Sequence, residues 1–112
     1  MRDKVIETLI KIGIPVGSQA FKYIKTAIRL LNDGEHENPQ WMIMYEEIGK
    51  IHNVSGMSVD RAMRYAFDKA RKTAKEYEFQ YGVVEHYLGF DNLKNSNTLL
   101  LLNLRISHLT FL

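Results

Sequence analysis

Apolar residues recur at intervals of three and four along most of the chain, the spacing that lines one face of an α-helix. Val5, Leu9 and Ile12 mark a first helix over about residues 2–12. Gly13 ends it, and Ile14-Pro15 favours an extended link. Ser18 can cap a second helix whose Phe21, Ile24, Ile28 and Leu31 share a face, and Asn32-Asp33-Gly34 stops it. Residues 35–40 read as a polar loop, with Trp41 after Pro39 expected to pin it onto the core. A third helix is predicted over about 42–52. A turn around 53–56 leads to a fourth over about 57–73, with the stripe Val59, Ala62, Met63, Ala66, Phe67 and Ala70. A fifth, about 75–88, aligns Tyr77, Tyr81, Val84 and Leu88. Gly89 stands where a left-handed residue closes a helix, and Phe90 follows as the accompanying hydrophobic residue. Asn95-Ser96 can cap a last helix through Leu99 to Leu104 and beyond. No stretch alternates cleanly enough to read as a strand. The expectation is an all-α fold of about six helices in one domain spanning 1–112.

Composition changes this picture little. The chain has 112 residues, 46% hydrophobic and 25% charged, with a formal charge of +2, so no global basic field points to nucleic acid. Any such reading has to rest on where the charges sit. There is no cysteine, which excludes disulfides, thiol chemistry and cysteine-ligated zinc, and fits a cytoplasmic protein. Arg2, Asp3, Lys4 and Glu7 interrupt the N-terminal apolar residues, so no secretion signal is expected there. The leucine-rich tail up to Leu112 contains Asn103, Arg105 and His108 and falls short of the roughly 20 apolar residues a bilayer span needs. No membrane role is expected. His36, His52, His86 and His108 are scattered and form no ligand pair on a helix, and Ser18, Ser55 and Ser96 read as caps rather than nucleophiles. Neither a metal, nor a cofactor, nor enzymatic chemistry is expected. His52 reads as a helix-end residue, where a positive charge would suit the dipole.

Residues 44–64, MYEEIGKIHNVSGMSVDRAMR, meet several steric demands of a helix-turn-helix at fixed spacing. Gly49 supplies the small residue where two helices cross closely, and Ile48 beside it faces the core. Four residues on, the chain must turn with positive φ, which Asn53 tolerates better than any residue but glycine. Val54 is expected to plug the core after the turn, and Val59 and Ala62 to line the inner face of the second helix. Ser55 or Ser58 can cap that helix.

Met57, Ser58, Asp60, Arg61, Arg64, Tyr65 and Asp68 then project outward from the fourth helix, with Lys69, Arg71, Lys72 and Lys75 further along. A recognition helix places its N-terminal residues against base edges. Arginine grips guanine O6 and N7 with two hydrogen bonds, a pair that discriminates by about 1–3 kcal/mol. Ser58, Asp60, Arg61, Arg64 and Tyr65 are therefore the base-contact candidates, with Arg61 and Arg64 foremost. Lys50, Lys69, Arg71, Lys72 and Lys75 are the phosphate-contact candidates, holding register without reading sequence. The plainer reading stands beside this one. Asp60–Arg64, Arg64–Asp68 and Asp68–Lys72 are i, i+4 pairs of the kind that decorates any solvated helix.

These residues resemble the C-terminal effector domain of the sporulation response regulator, the stage-zero sporulation protein A family. The similarity covers nearly the whole chain. It runs from Ile12-Gly13-Ile14-Pro15, close to the family's IGVP, through Phe21-Lys22-Tyr23-Ile24, Ala27-Ile28, Tyr45-Glu46-Glu47-Ile48 and His52-Asn53. It is closest at Val59 to Ala66, VDRAMRYA, where the family reads VERAIRHA. Leu88-Gly89-Phe90 and Asn95-Ser96 echo later landmarks. The resemblance implies a six-helix domain that binds a short DNA box as a transcription factor, often in tandem copies. It also implies that Asp60, Arg61 and Arg64 lie at the DNA interface. Ser58 stands where the family carries a DNA-reading arginine, and Tyr65 replaces a histidine. One fewer cation means fewer released counterions. The segment from Leu99 to Leu112 is more apolar than the family's last helix, which helps adjacent copies touch. The receiver domain of the full regulator is not within these residues, and a free-standing homologue and a fragment both remain open.

The expected function is sequence-specific double-stranded DNA binding in transcription regulation, with a helix-turn-helix at about 44–72 and a reading helix starting near residue 57. The expected partners are duplex DNA, a second copy through the helix from Leu99 to Leu112, and RNA polymerase. The alternative is a protein–protein interaction module that kept the fold and lost DNA binding. It is favoured by the near-neutral charge and by Ser58. A helical oligomer built on the leucine tail is a third reading.

Overall fold

The computed structural model describes residues 3–33, 40–91 and 94–108, with the backbone alone at His108. The described residues form six helices and no strand: α1 (Lys4–Lys11), α2 (Gln19–Asn32), α3 (Trp41–His52), α4 (Gly56–Glu76), α5 (Glu78–Tyr87) and α6 (Asn95–His108). The all-α expectation holds.

Local chemistry explains most of the boundaries. Asp3 Oδ1 accepts from the backbone N–H groups of Val5 and Ile6 at 2.9 and 3.3 Å, capping α1. Gly13, at φ 91°, ends that segment, and Ser18 Oγ caps α2 by accepting from Phe21 N at 3.2 Å. At the far end of α5, Gly89 adopts φ 70° and its N–H bonds back to Val84 O and Glu85 O, as the Leu88-Gly89-Phe90 pattern predicts. Trp41 opens α3, packs half-buried against the core and leans on Tyr45 at a ring separation of 6.1 Å. The predicted loop over 35–40 falls almost wholly outside the described residues, as do His36 and the last residues of the leucine tail.

One boundary differs from the expectation. The fifth helix begins at Glu78, because α4 runs on to Glu76 and breaks only at Tyr77, which is extended at φ −122°, ψ 105°. No glycine, proline or side-chain cap marks that break. Tyr77 therefore lies outside α5 and is exposed, and Tyr81 is also exposed and stacks on Phe90 at 4.6 Å. Of the four residues expected on the inner face, Val84 and Leu88 are buried.

The central element is α4, which packs on α2, α3, α5 and α6. Its Val59, Met63, Phe67 and Ala74 are fully buried against Ile24 and Ala27 of α2, Ile48 of α3, Val84 of α5, and Leu99 and Leu102 of α6 within one core. Burial on this scale supplies the stabilisation, at about 1.5–3 kcal/mol for each large apolar side chain.

Two side chains add directional bonds to that core, the buried Arg71 and the half-buried His52. The first is Arg71, only 5% exposed. Its Nε donates to Gly89 O at 2.8 Å, and its Nη2 donates to Thr98 Oγ1 at 2.6 Å and to Leu88 O at 3.3 Å. The guanidinium thus ties α4 to the end of α5 and to α6, with Asp68 3.6 Å away as counterion. Burial pulls its pKa below the usual arginine value, partly opposed by Asp68.

The second is His52. The Thr26 hydroxyl spends its single proton on Lys22 O at 3.0 Å, so the 2.8 Å contact with His52 requires Nε2–H to donate to Thr26. Burial foremost, then Lys22 and Arg29, lower the imidazole below its ordinary 6.5, and the ring packs edge-on to Tyr23. Both effects disfavour the positive charge suggested for this helix end, burial more than the two cations of α2.

Arg71→Ala is expected to lower the free energy of unfolding by about 2–4 kcal/mol, since it leaves buried carbonyls unpaired. Arg71→Lys should recover little, because one ammonium cannot replace the planar fork. Urea denaturation, read as a midpoint shift at constant slope, checks both. For His52, the folded protein binds its proton less readily than the unfolded chain. The stability this provides is complete above the unfolded value of 6.5 and declines as pH falls below it. Thermal unfolding between pH 7.5 and about 5 should therefore fall less steeply in His52→Gln than in the parent.

Candidate nucleic-acid interface

The turn between α3 and α4 is built from three residues with distinct tasks. Asn53 takes the left-handed conformation at φ 60°, ψ 45°, the one non-glycine residue with positive φ among those described. Its N–H and that of Val54 both return to Gly49 O, the latter at 2.8 Å. Ser55 is extended, and its Oγ caps α4 by accepting from Ser58 N at 3.1 Å while its hydroxyl donates to Ser58 Oγ at 2.9 Å.

Two glycines set how closely the helices cross. A Cβ on Gly49 would collide with Val54 O and stand 3.1 Å from Ser55 C. A Cβ on Gly56 would stand 3.1 Å from Glu46 N and 3.2 Å from Tyr45 C. The Gly49 contacts are all with backbone, which cannot swing aside, whereas at Gly56 the Glu46 Cγ also stands 3.2 Å away. Gly49 and Asn53 thus act as the spacing predicts, and Ser55 rather than Ser58 is the cap. Val54 differs: its side chain is 38% exposed, because the turn is sealed by its backbone pressed on Gly49 instead of by an apolar plug. Val59 is buried and Ala62 half-buried on the inner face, as expected.

The opposite side of α4 carries the charges. Met57, Ser58, Arg61, Arg64, Tyr65, Asp68, Lys69 and Lys72 are exposed along it, and Tyr65 keeps 69% of its surface in solvent. The Arg64 side chain is 58% exposed, with Nη2 3.6 Å from Asp60 Oδ2. No ion pair is found for Arg61 among the described residues. Lys69 Nζ lies 5.9 Å from the Tyr65 ring, steadying both over the middle of the helix. Lys50 is exposed on α3. Lys75 is exposed as well, but its Nζ sits 5.3 Å over the Phe90 ring, toward the α5 end of the molecule.

Two sequence-predicted candidates behave differently. Arg71 is withdrawn from the phosphate-contact set: its guanidinium is buried and donates to Leu88, Gly89 and Thr98. The helical period places it at the edge of the inner face, a position its long apolar stem can reach from. Asp60 is half-buried, and its Oδ1 accepts from Asn95 Nδ2 at 2.8 Å. The same amide donates to Asp60 O at 2.8 Å. Asn95, expected as a cap of α6, instead reaches across to α4, and it is a residue that sequence reasoning missed at this site. The available signal was a polar residue at the head of a strongly apolar helix. Tyr45 was missed too. Burial, with Asp60 adding to it and Arg64 opposing, pushes its phenol up to about 12, so its hydroxyl stays protonated beside the Asp60–Arg64 pair.

The family model for the C-terminal domain of sporulation initiation factor Spo0A matches residues 5–104, from the first turn of α1 well into α6. The chain belongs to this family. The Spo0A C-terminal domain is the DNA-binding effector domain of a sporulation regulator, so DNA binding is the activity of the family. No solved structure matches the chain. No helix among the described residues is long and apolar enough to cross a membrane.

Because the Gly49 contacts are all with backbone, Gly49→Ala should force the turn and the start of α4 away from α3 and cost about 1–3 kcal/mol of stability. The expected readout is a lowered urea midpoint together with amide chemical-shift changes confined to the α3–α4 crossing. Wild-type stability in this variant would contradict the close approach.

Proposed function

We propose that this chain is a sequence-specific duplex DNA-binding domain of a cytoplasmic transcription regulator, inserting the N-terminal half of α4 into the major groove. The observation that carries the reading is the exposure of Arg61 and Arg64 on the side of α4 that faces away from the core. A guanidinium there can present two parallel donors to guanine O6 and N7. Ser58 and Tyr65 flank the arginines and meet the neighbouring bases or their sugars. Lys69 and Lys72 continue the same face, and Lys50 approaches from α3. These three hold the phosphates, and Lys75 meets the backbone only after leaving Phe90. Residues 1–112 act as one such domain on this reading.

A second copy is the favoured protein partner. Leu100 and Leu104 lie one turn apart on α6 and are 44% and 53% exposed, an apolar strip on the helix that the family resemblance assigns to contacts between adjacent copies. RNA polymerase is the further partner that a transcription regulator would engage. A protein-interaction module without DNA binding is the second reading. It is supported by the exposed aromatics around the α4–α5 break, where Phe79 is 78% and Tyr77 53% exposed.

Selection from a random duplex library separates the two, because an interaction module enriches no sequence. In the enriched box, Arg61→Ala should erase preference at one base position, a loss of about 1–3 kcal/mol, with unfolding unchanged. Lys72→Ala should weaken all duplexes alike and reduce the slope of log K against log salt by about one. A footprint untouched by Arg61→Ala would remove that residue from the reading role.

A further inference from the structure

Asn95 is 4% exposed, at the first turn of a helix whose next buried residues are Thr98, Leu99 and Leu102. A buried carboxamide in such a place has to satisfy its donors, and this one does so on a single residue of α4. Its Nδ2 donates to both the carbonyl oxygen and the carboxylate Oδ1 of Asp60, each at 2.8 Å. In a helix that carbonyl already accepts from the N–H four residues on. The bond that Asn95 adds to the local order is therefore the one to the carboxylate. It fixes a side chain that would otherwise rotate in solvent.

Asp60 has one further neighbour. Its second oxygen, Oδ2, stands 3.6 Å from Arg64 Nη2. An exposed i, i+4 pair contributes only a few tenths of a kcal/mol, largely because ordering two free side chains offsets the attraction. Here half of that ordering is already done by Asn95. The carboxylate is held with one oxygen toward α6 and the other toward Arg64, so the guanidinium meets a fixed partner and keeps a narrower range of directions.

Resting on the DNA-binding reading above, we propose that Asn95 of α6 is a positioning residue for base recognition: through the Asp60 carboxylate it aims Arg64 at its base. It touches no DNA itself. The consequence is that α6 governs one position of the recognised sequence, the one read by Arg64. The position read by Arg61, which has no such partner among the described residues, is independent of it.

The test compares base preferences position by position. Selection with Arg61→Ala and Arg64→Ala first identifies the position each arginine governs. Asn95→Ala and Asn95→Ser, the latter keeping a residue suited to the start of a helix, are then measured on the same box. All binding is read below the unfolding transition of every variant. Preference at the Arg64 position is expected to fall roughly three- to tenfold, the scale of one lost hydrogen bond in a coupled network. Preference at the Arg61 position should be unchanged, and Asn95→Ala should add nothing in the Arg64→Ala background. A merely structural role would weaken every position alike and would multiply undiminished onto Arg64→Ala. Either result overturns the proposal, as does an unchanged preference at the Arg64 position. Failure of the wild type to enrich any box is a different outcome: it removes the DNA-binding reading and this inference with it.

Discussion

Where α3 meets the turn and the start of α4, backbone lies against backbone at two glycines. Gly49 faces Val54 O, and Gly56 faces the backbone of Tyr45 and Glu46. Helices separated by ordinary side chains lie about 8–10 Å apart and tolerate some sliding. A crossing that rests on backbone has little such freedom, because any added carbon meets atoms that cannot rotate away. The turn then follows. With the helices this close, the link has to reverse within Asn53, Val54 and Ser55, which demands the left-handed residue at Asn53 and a capping oxygen at Ser55. The rotation of α4 about its own axis is set at the same point, and that rotation decides which residues face outward.

The apolar core alone would leave the other end of α4 less defined. Apolar burial is strong but non-directional, and a 21-residue helix can be packed in several rotations with similar area. Directional bonds to α5 and α6 remove the alternatives. Arg71 reaches two carbonyls at the close of α5 and the hydroxyl of Thr98, and Asn95 returns from α6 to Asp60. Both clamps leave α4 from the border between its buried and exposed faces. Buried polar groups of this kind need not raise stability above that of an apolar replacement. Their effect is to specify one arrangement, and the arrangement they specify is the one that leaves Arg61 and Arg64 in solvent.

The same distinction explains what was legible in the sequence. Periodicity located all six helices, and the residues with singular backbone demands, Gly13, Asn53 and Gly89, were recognisable because few residue types meet those demands. Caps at Ser18 and Ser55 were legible for the same reason. Errors came where the decision is tertiary. The break at Tyr77 carries no local signal, so the fifth helix was expected too early. Arg71 looks like any other cation on a basic helix until α5 and α6 are folded over it. Val54 was expected inside because its side chain is apolar, whereas its backbone is what the crossing uses. Asn95 resembled a cap because caps and cross-helix donors draw on the same amino acids.

The withdrawal of Arg71 and the tethering of Asp60 also bear on how the proposed DNA complex would hold together. Four lysines remain as proposed phosphate contacts, Lys50, Lys69, Lys72 and Lys75, and Lys75 rests on Phe90. At roughly 0.9 of a counterion released per contact, one protomer would show a log–log salt slope only near −3 to −4, a weak non-specific grip. Such a domain cannot rely on electrostatics to stay on DNA and must draw its affinity from the bases it reads. Two consequences follow on the proposed reading. Orientation of the guanidinium groups matters more than their number, which gives a clamp such as Asn95–Asp60 a reason to exist. Doubling the site through a second copy, along the Leu100 and Leu104 strip of α6, would double the slope and convert the second contact into an intramolecular one. The helix that carries the exposed Leu100 and Leu104 is also the helix that carries Asn95, so on the proposed reading association of two copies and the direction of Arg64 would be set by the same element.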